Sequence, residues 1–516
     1  MRDSKNLKNH IDLKGRIDLK DHIKKNISSG NMAERKLCEG STDKKGLWKR
    51  TGLKCLCCLL AVNFVCMALW GCGIRTNEGG QGSPEPSEDP GNSPNGREIV
   101  TAVVTWPSRD TLEHIRAYNE NSQKYFIEIR EYGEESAVME AEDLETQLTL
   151  DILSGKGPDL VIWDSAFYSP ALASEKLMEN LYGFMEEDAD FRREDYYGNI
   201  LQAFELNGGL YVLPASFSVE TVCGKAEEIG IHRNITEGWE IGEMIEAFEN
   251  SPHAEWLTVN YSKRLAFSEV CWGCVGNFVD WEKGTCHFDT PAFVELLELS
   301  DTFPENLTID NDFSYYETLR SGKALWVPVM LASPWRVADQ RISFGDVDMR
   351  WPGYPVADGE KELGGGVAAP YGECFSICRN SQNQAAAWEF IKSFLTVEAQ
   401  REMGGIPLLR TASEERIQDA LTVEYETVDG IEREKIKYRI IAEGEETTGL
   451  SCITEEDAEI YRSIIENTHR SYGNDSGMME IIMEEADAYF EKGKNAAAVA
   501  DTIQRRVSVY VGERVN

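Results

Sequence analysis

Three short apolar runs, separated by helical patterns, constrain this chain more than any other feature. Ile99–Thr105 (IVTAVVT) is β-branched and reads as a buried parallel strand. The loop Trp106-Pro107-Ser108-Arg109-Asp110 leads from it into a helix expected to start near Thr111, with Asp110 as a candidate cap. Tyr125–Tyr132 alternates around Ile127 and Ile129 and predicts a second strand. Leu144, Leu148 and Ile152 recur at helical spacing, and Gly155-Lys156-Gly157-Pro158 stops that helix. Asp159–Trp163 (DLVIW) reads as a third strand. The β-α-β-α-β order predicts an α/β fold with an open, mostly parallel sheet and ligands at the carboxyl ends of its strands. Trp106 to Asp110 and Trp163 to Asp164 are two such ends.

At 516 residues the chain is too long for one core and predicts about two domains. Its 52 Lys+Arg against 89 Asp+Glu give a net charge of −37, which argues against a nucleic-acid binder because displacing counterions needs Lys and Arg. The charge is uneven. Residues 1–54 carry +8 and residues 55–516 carry −45, a basic head on an acidic body. That pattern points to targeting.

After Lys49, Arg50 and Lys54 comes the uncharged 16-residue run Cys55–Trp70, between a signal core and a membrane span in length. Leu69-Trp70-Gly71-Cys72 resembles a bacterial lipoprotein signal, with Cys72 as the lipid-accepting residue. An uncleaved anchor helix is the alternative. Either way the acidic body is expected outside the cytoplasmic membrane. Met32 is a more economical start than Met1. Residues 73–97, rich in Gly, Pro, Ser and Glu, read as a flexible tether.

Of 13 cysteines, seven lie in the body: Cys223, Cys271, Cys274, Cys286, Cys374, Cys378 and Cys452. An odd number leaves at least one thiol free. Cys271-Trp-Gly-Cys274 has redox spacing, and a zinc site from Cys271, Cys274, Cys374 and Cys378 is conceivable. The plainer expectation is small buried hydrophobes, with room for one disulfide and neither metal nor cofactor.

Along residues 98–516, weak motifs occur in a consistent order. They are SGKGPDLVIWDS (154–165), LNGGLYVLPASFSVETV (206–222), DWEKGTCHFDTPAFVELLEL (280–299), LRSGKALWVPVM (319–330) with Ser333-Pro334-Trp335, Gly353-Tyr354-Pro355, SQNQAAAWEFIKSFL (381–395), Gly405-Ile406-Pro407 and EEADAYFEKG (484–493). Together they resemble the extracellular solute-binding proteins of type 1 (maltose/oligosaccharide-like), the receptor subunits of ABC importers. Ala324-Leu325-Trp326 and Ser333 depart from that pattern at positions that bear on strand packing. The resemblance implies a two-lobed, periplasmic-binding-protein-like fold with interleaved lobes and a ligand cleft at the hinge. Lobe one is expected at 98–215 and 347–405, lobe two at 216–346 and 406–516, with the first crossing on Gly209–Pro214. It also implies a carbohydrate ligand, ABC permease subunits as partners, and a lipid-anchored, extracytoplasmic location.

Sugars stack their C–H faces on aromatic rings and bury hydroxyls that need paired donors and acceptors. Trp163 and Trp335 match sugar-stacking positions of the family. Trp106, Trp272 and Trp351 are further candidates, each with a core or hinge alternative. Asp164, with a helix-cap alternative, Arg109, Tyr371 and Glu373 are the polar candidates, and Arg336 follows Trp335 as a donor or a surface charge. Two other functions stay open. An extracellular glycoside hydrolase needs only two carboxylates, although no HExxH, GxSxG or P-loop is present. A sensory receptor would use the same closed form to dock a signalling partner.

Overall fold

The computed structural model describes residues 96–105, 108–130, 141–164, 177–259, 261–281, 283–306, 314–440, 447–471 and 476–515. Trp106, Cys72, the leader and nearly all of the tether fall outside them. Among the described residues no helix is long and apolar enough to cross a membrane.

The three predicted strands form as β1 (Glu98–Val104), β2 (Tyr125–Ile129) and β3 (Leu160–Asp164). β1 lies between the other two and parallel to both. The helix after β1, Arg109–Asn121, starts earlier than expected because Ser108, not Asp110, caps it; the Ser108 hydroxyl accepts from the Thr111 N–H at 3.0 Å. Helix Ala141–Leu153 buries Leu148 and Ile152 and ends at the expected glycine. Gly155 takes φ +73°, and the N–H groups of Gly155 and Lys156 reach back to the carbonyls of Ile152 and Asp151 at 3.0 and 2.8 Å.

Six more strands complete one nine-stranded sheet: β4 (Leu213–Lys225), β5 (Val327–Leu331), β6 (Met349–Arg350), β7 (Val367–Ile377), β8 (Ile406–Pro407) and β9 (Arg470–Ser471). Their order is β8-β4-β7-β3-β1-β2, with β5 and β6 on the far half of β4 and β9 on the start of β7. The sheet is mixed rather than mostly parallel, because β7 returns antiparallel to both β3 and β4. β4 and β7 pair from Leu213↔Phe375 to Glu220↔Val367 and run from one half of the sheet into the other. The crossing strand therefore starts at Leu213 and continues well past Pro214.

Two large apolar cores flank these long strands, with a smaller cluster around Leu148, Ile152, Trp163 and Cys374. The first surrounds β1, β3, β5 and much of β4 and β7, with Ile162, Leu201, Phe217, Phe375 and Phe390 fully buried. The second is built from helices Ile241–Asn250, Lys263–Cys274, Pro291–Asp301, Ser476–Lys492 and Ala496–Val515. Phe267, Phe278, Phe288 and Phe293 meet there edge-on or stacked, with centroids 5.3–5.8 Å apart. Val499, Ile503 and Val507 are fully buried on the last helix, as their spacing predicts. Ala324, Leu325 and Trp326, the departure from the family pattern, are also completely buried. The cores interleave along the chain: Tyr354 and Val367 pack in the second, whereas Ile406, Ala412 and Ile417 stay with the first.

Candidate ligand cleft

Along β7 the residues are buried at both ends, but Ala369, Pro370, Tyr371, Gly372 and Glu373 are all partly open to solvent. This opening falls where β4 and β7 pass from one half of the sheet to the other. The carboxyl ends of β1 and β3 meet it from the first half, since Asp164 pairs with Glu373 and Trp163 with Cys374. Glu373 is held by the start of helix Arg109–Asn121: Ser108 Oγ donates to Glu373 Oε1 at 3.2 Å and Thr111 Oγ1 donates to the same oxygen. The Tyr371 carbonyl accepts from Ser216 Oγ at 2.7 Å, tying β4 to β7 across the opening.

From the second half come two carboxylates. Glu220 is the one acidic residue within β4, opposite Val367 on β7 and Met330 on β5. It keeps partial contact with solvent, yet protein crowds its carboxyl. Burial first, and then the nearby Glu269 carboxyl, push its pKa up to about 8, against the pull of Arg336 and a hydrogen bond from Ser218. Glu269, on helix Lys263–Cys274, is raised by burial as well, although it accepts from Tyr354 Oη at 2.5 Å and Tyr261 Oη at 3.4 Å. Gly273, one helical turn on, makes that arrangement possible, because a Cβ there would lie 2.1 Å from the Tyr354 ring. The CxxC spacing thus belongs to packing. Cys271 and Cys274 are fully buried, and burial raises both thiols away from the reactive thiolate form.

Trp335 and Arg336 open helix Trp335–Ser343, which follows β5. The Trp335 ring is stacked on Tyr438, with centroids 5.6 Å apart and planes 6° from parallel. Arg336 Nη1 donates to Asp339 Oδ2 at 2.8 Å, and its positive charge acts on Glu220. Two carboxylates, a guanidinium, phenol hydroxyls and an aromatic face therefore converge within a few residues of the crossing. Such a set can pair with hydroxyls acting as both donors and acceptors while a ring covers an apolar face.

The residues expected from sequence scatter more widely. Trp163 is 1% exposed; its indole N–H donates to Ser376 Oγ at 2.9 Å and both ring faces are covered by protein. Trp351 is likewise a core side chain at 1% exposure. Arg109 points to solvent, its side chain 86% exposed and paired with Glu113 at 2.8 Å. Trp272 is half-buried against the second core, one turn from Glu269. Tyr371 and Glu373 lie on the opening itself, and Trp335 is half-buried at the start of the helix after β5. Trp106 lies outside the described residues. All seven body cysteines are free. Among the described residues the only cluster with metal-ligand geometry is Glu227, Glu228 and His253, so the four-cysteine zinc site does not form. In that cluster Glu228 is already engaged by His253 Nδ1 at 2.8 Å and by Ser251 Oγ.

Glu220, Glu269, Tyr354 and Tyr438 were not anticipated. For Glu220 a signal existed: it is the lone carboxylate in a strand whose other residues, up to the terminal Lys225, are uncharged and buried.

No family model matches the chain. A maltotriose-binding protein from Pyrococcus abyssi is 26% identical over 288 residues, covering 52% of this chain. The chain spans 58% of that relative's length. A periplasmic oligogalacturonide-binding protein from Yersinia enterocolitica superimposes with a TM-score of 0.51 at 14% identity, over 81% of this chain and 100% of the other. The sugar-binding protein MalE from Xanthomonas citri gives a TM-score of 0.49 at 12% identity, over 81% of this chain and 98% of the other. The fold is that of the two-lobed solute-binding proteins, as the Yersinia superposition shows.

Proposed function

We propose that the cleft captures a carbohydrate and that the chain is the receptor subunit of an ABC importer, delivering the sugar to a membrane permease. The paired carboxylates Glu220 and Glu269, set beside Arg336 and the stacked Trp335, carry this reading. A buried sugar hydroxyl left without a partner is costly, so a sugar site needs donors and acceptors at high density. Glu220 and Glu269 supply acceptor oxygens, the protonated Glu220 and Arg336 supply donors, and Trp335 supplies a stacking face. Asp164, Tyr371 and Glu373 meet the ligand from the first half, and hinge motion about β4 and β7 closes the two halves over it. The maltotriose-binding and oligogalacturonide-binding relatives support the carbohydrate class. Cys72 carries the lipid that holds the protein at the outer face of the bacterial cell membrane, and residues 73–97 form the tether.

A thermal-shift screen over sugars, polyols, phosphodiesters and peptides tests this function. Mass action gives about 2.7 kcal/mol of stabilisation at a hundredfold excess over Kd, so a cognate sugar raises the melting temperature. Response to peptides or phosphodiesters with none to any sugar overturns the carbohydrate class. Cys72→Ser should release the protein from membranes, and continued retention would count against the lipid anchor.

A further inference from the structure

Between helix Arg410–Leu421 and helix Glu455–Glu466 the chain makes an excursion that the rest of the sheet does not use. It forms two hairpins of its own, Tyr425–Val428 with Ile431–Glu434 and Tyr438–Ile440 with Thr448–Leu450. The excursion closes where the Ile453 N–H reaches the Ala420 carbonyl at 2.9 Å. Its first hairpin is largely exposed, with Tyr425 and Ile431 63% and 69% open to solvent. Its second hairpin touches the body at the cleft. Tyr438 lies flat on Trp335, and its hydroxyl donates to Asp339 Oδ2 at 3.0 Å, the same oxygen that Arg336 Nη1 reaches at 2.8 Å. One side chain therefore constrains both residues at the start of helix Trp335–Ser343. The stack sets the plane of the indole. The shared carboxylate sets the direction of the guanidinium, which would otherwise swing on a flexible stem.

We propose that Tyr438 is a positioning residue, which presents Trp335 and Arg336 to the ligand and makes the second hairpin a specificity element of the cleft. This rests on the carbohydrate reading of that site. Tyr438 acts through its neighbours: one ring face is spent on Trp335 and its hydroxyl on Asp339. Trp335 is then held in place for a sugar ring instead of paying orientational entropy on binding.

The test is a double-mutant cycle on the full chain, with maltotriose and a galacturonide trimer as probes and Kd read by titration calorimetry. Tyr438→Ala is expected to weaken whichever probe binds by roughly three- to tenfold, the scale of one aromatic stack. Tyr438→Phe, which keeps the stack, should recover most of that loss. In a Trp335→Ala background, Tyr438→Ala should cost clearly less than in the wild type, because only Arg336 remains to be oriented. Tyr438→Ala binding like the wild type overturns the proposal. So does an equal loss with and without Trp335, which would mark a general structural effect. A wild-type protein that binds neither probe removes the carbohydrate reading and the proposal together, and is distinguishable from both.

Discussion

Glu220→Gln is a sharp test of how the cleft is built. The Glu220 carboxyl has its pKa pushed up to about 8 by burial and by Glu269, whereas the unfolded chain titrates it near the ordinary value of 4.5. Between those values the folded state holds a proton that the unfolded state has lost, so stability falls as pH rises. Each pH unit in that window costs about 1.4 kcal/mol. From pH 5.5 to 8 the wild type therefore gives up roughly 3 kcal/mol at this residue. Glutamine is neutral throughout and keeps an oxygen for Ser218. The variant should match the wild type near pH 5 and be increasingly more stable above it. For a folded unit of this size the difference at pH 8 corresponds to roughly 3–4 °C in melting temperature. Melting both proteins at pH 5.5, 7 and 8.5 reads it directly, and groups not coupled to Glu220 cancel in the difference. A gap that stays constant with pH, or a variant less stable at pH 8.5, would refute the buried-carboxylate geometry.

Asp457 is buried and bound at both oxygens by Arg341, at 2.9 and 3.0 Å. Asp457→Ala should cost about 1.5–3 kcal/mol in urea unfolding, because Arg341 loses its buried partner and keeps only the exposed Asp346. Burial works against ionisation of Asp457, but Arg341 and Thr454 outweigh it and hold its pKa below the usual value of 3.8. Its contribution is therefore present above about pH 4 and lost as pH falls further. Gly353→Ala would bring a Cβ to 1.8 Å from the Gly365 carbonyl oxygen at φ +75°, and should lower stability by about 2 kcal/mol or more in the same assay. Arg109→Ala should leave sugar affinity within about twofold, because the side chain is solvated and engaged only with Glu113.

The opening β-α-β-α-β unit was legible because its signals are local: β-branched runs, a helical stripe and a glycine stop. Its neighbours in the sheet were not, because antiparallel return of β7 depends on contacts more than 200 residues apart, such as Leu160↔Ile377. The same limit hid the site. Trp163 and Trp335 are the same residue type in equally suggestive motifs. Only pairing of β3 with β7, and packing of Leu148, Ile152 and Tyr211 over it, makes Trp163 a core residue. Trp335 stays half-buried because it starts the helix that follows β5. Glu269 and Tyr354 lie 85 residues apart, and the glycine that lets them meet stood inside a motif suggestive of redox chemistry. Glu220 alone could have been suspected, as a carboxylate within a strand that is otherwise uncharged up to Lys225.

Native mass spectrometry most directly tests the claim that this cleft holds a carbohydrate. The protein would be incubated with mixed neutral and acidic oligosaccharides, alongside a peptide mixture. The predicted result is a single sugar retained at one per chain, with its mass unchanged, and lost when Glu220 and Trp335 are both replaced by alanine. Retention of a peptide instead, release of a shortened sugar, or sugar binding that survives the double replacement would contradict it.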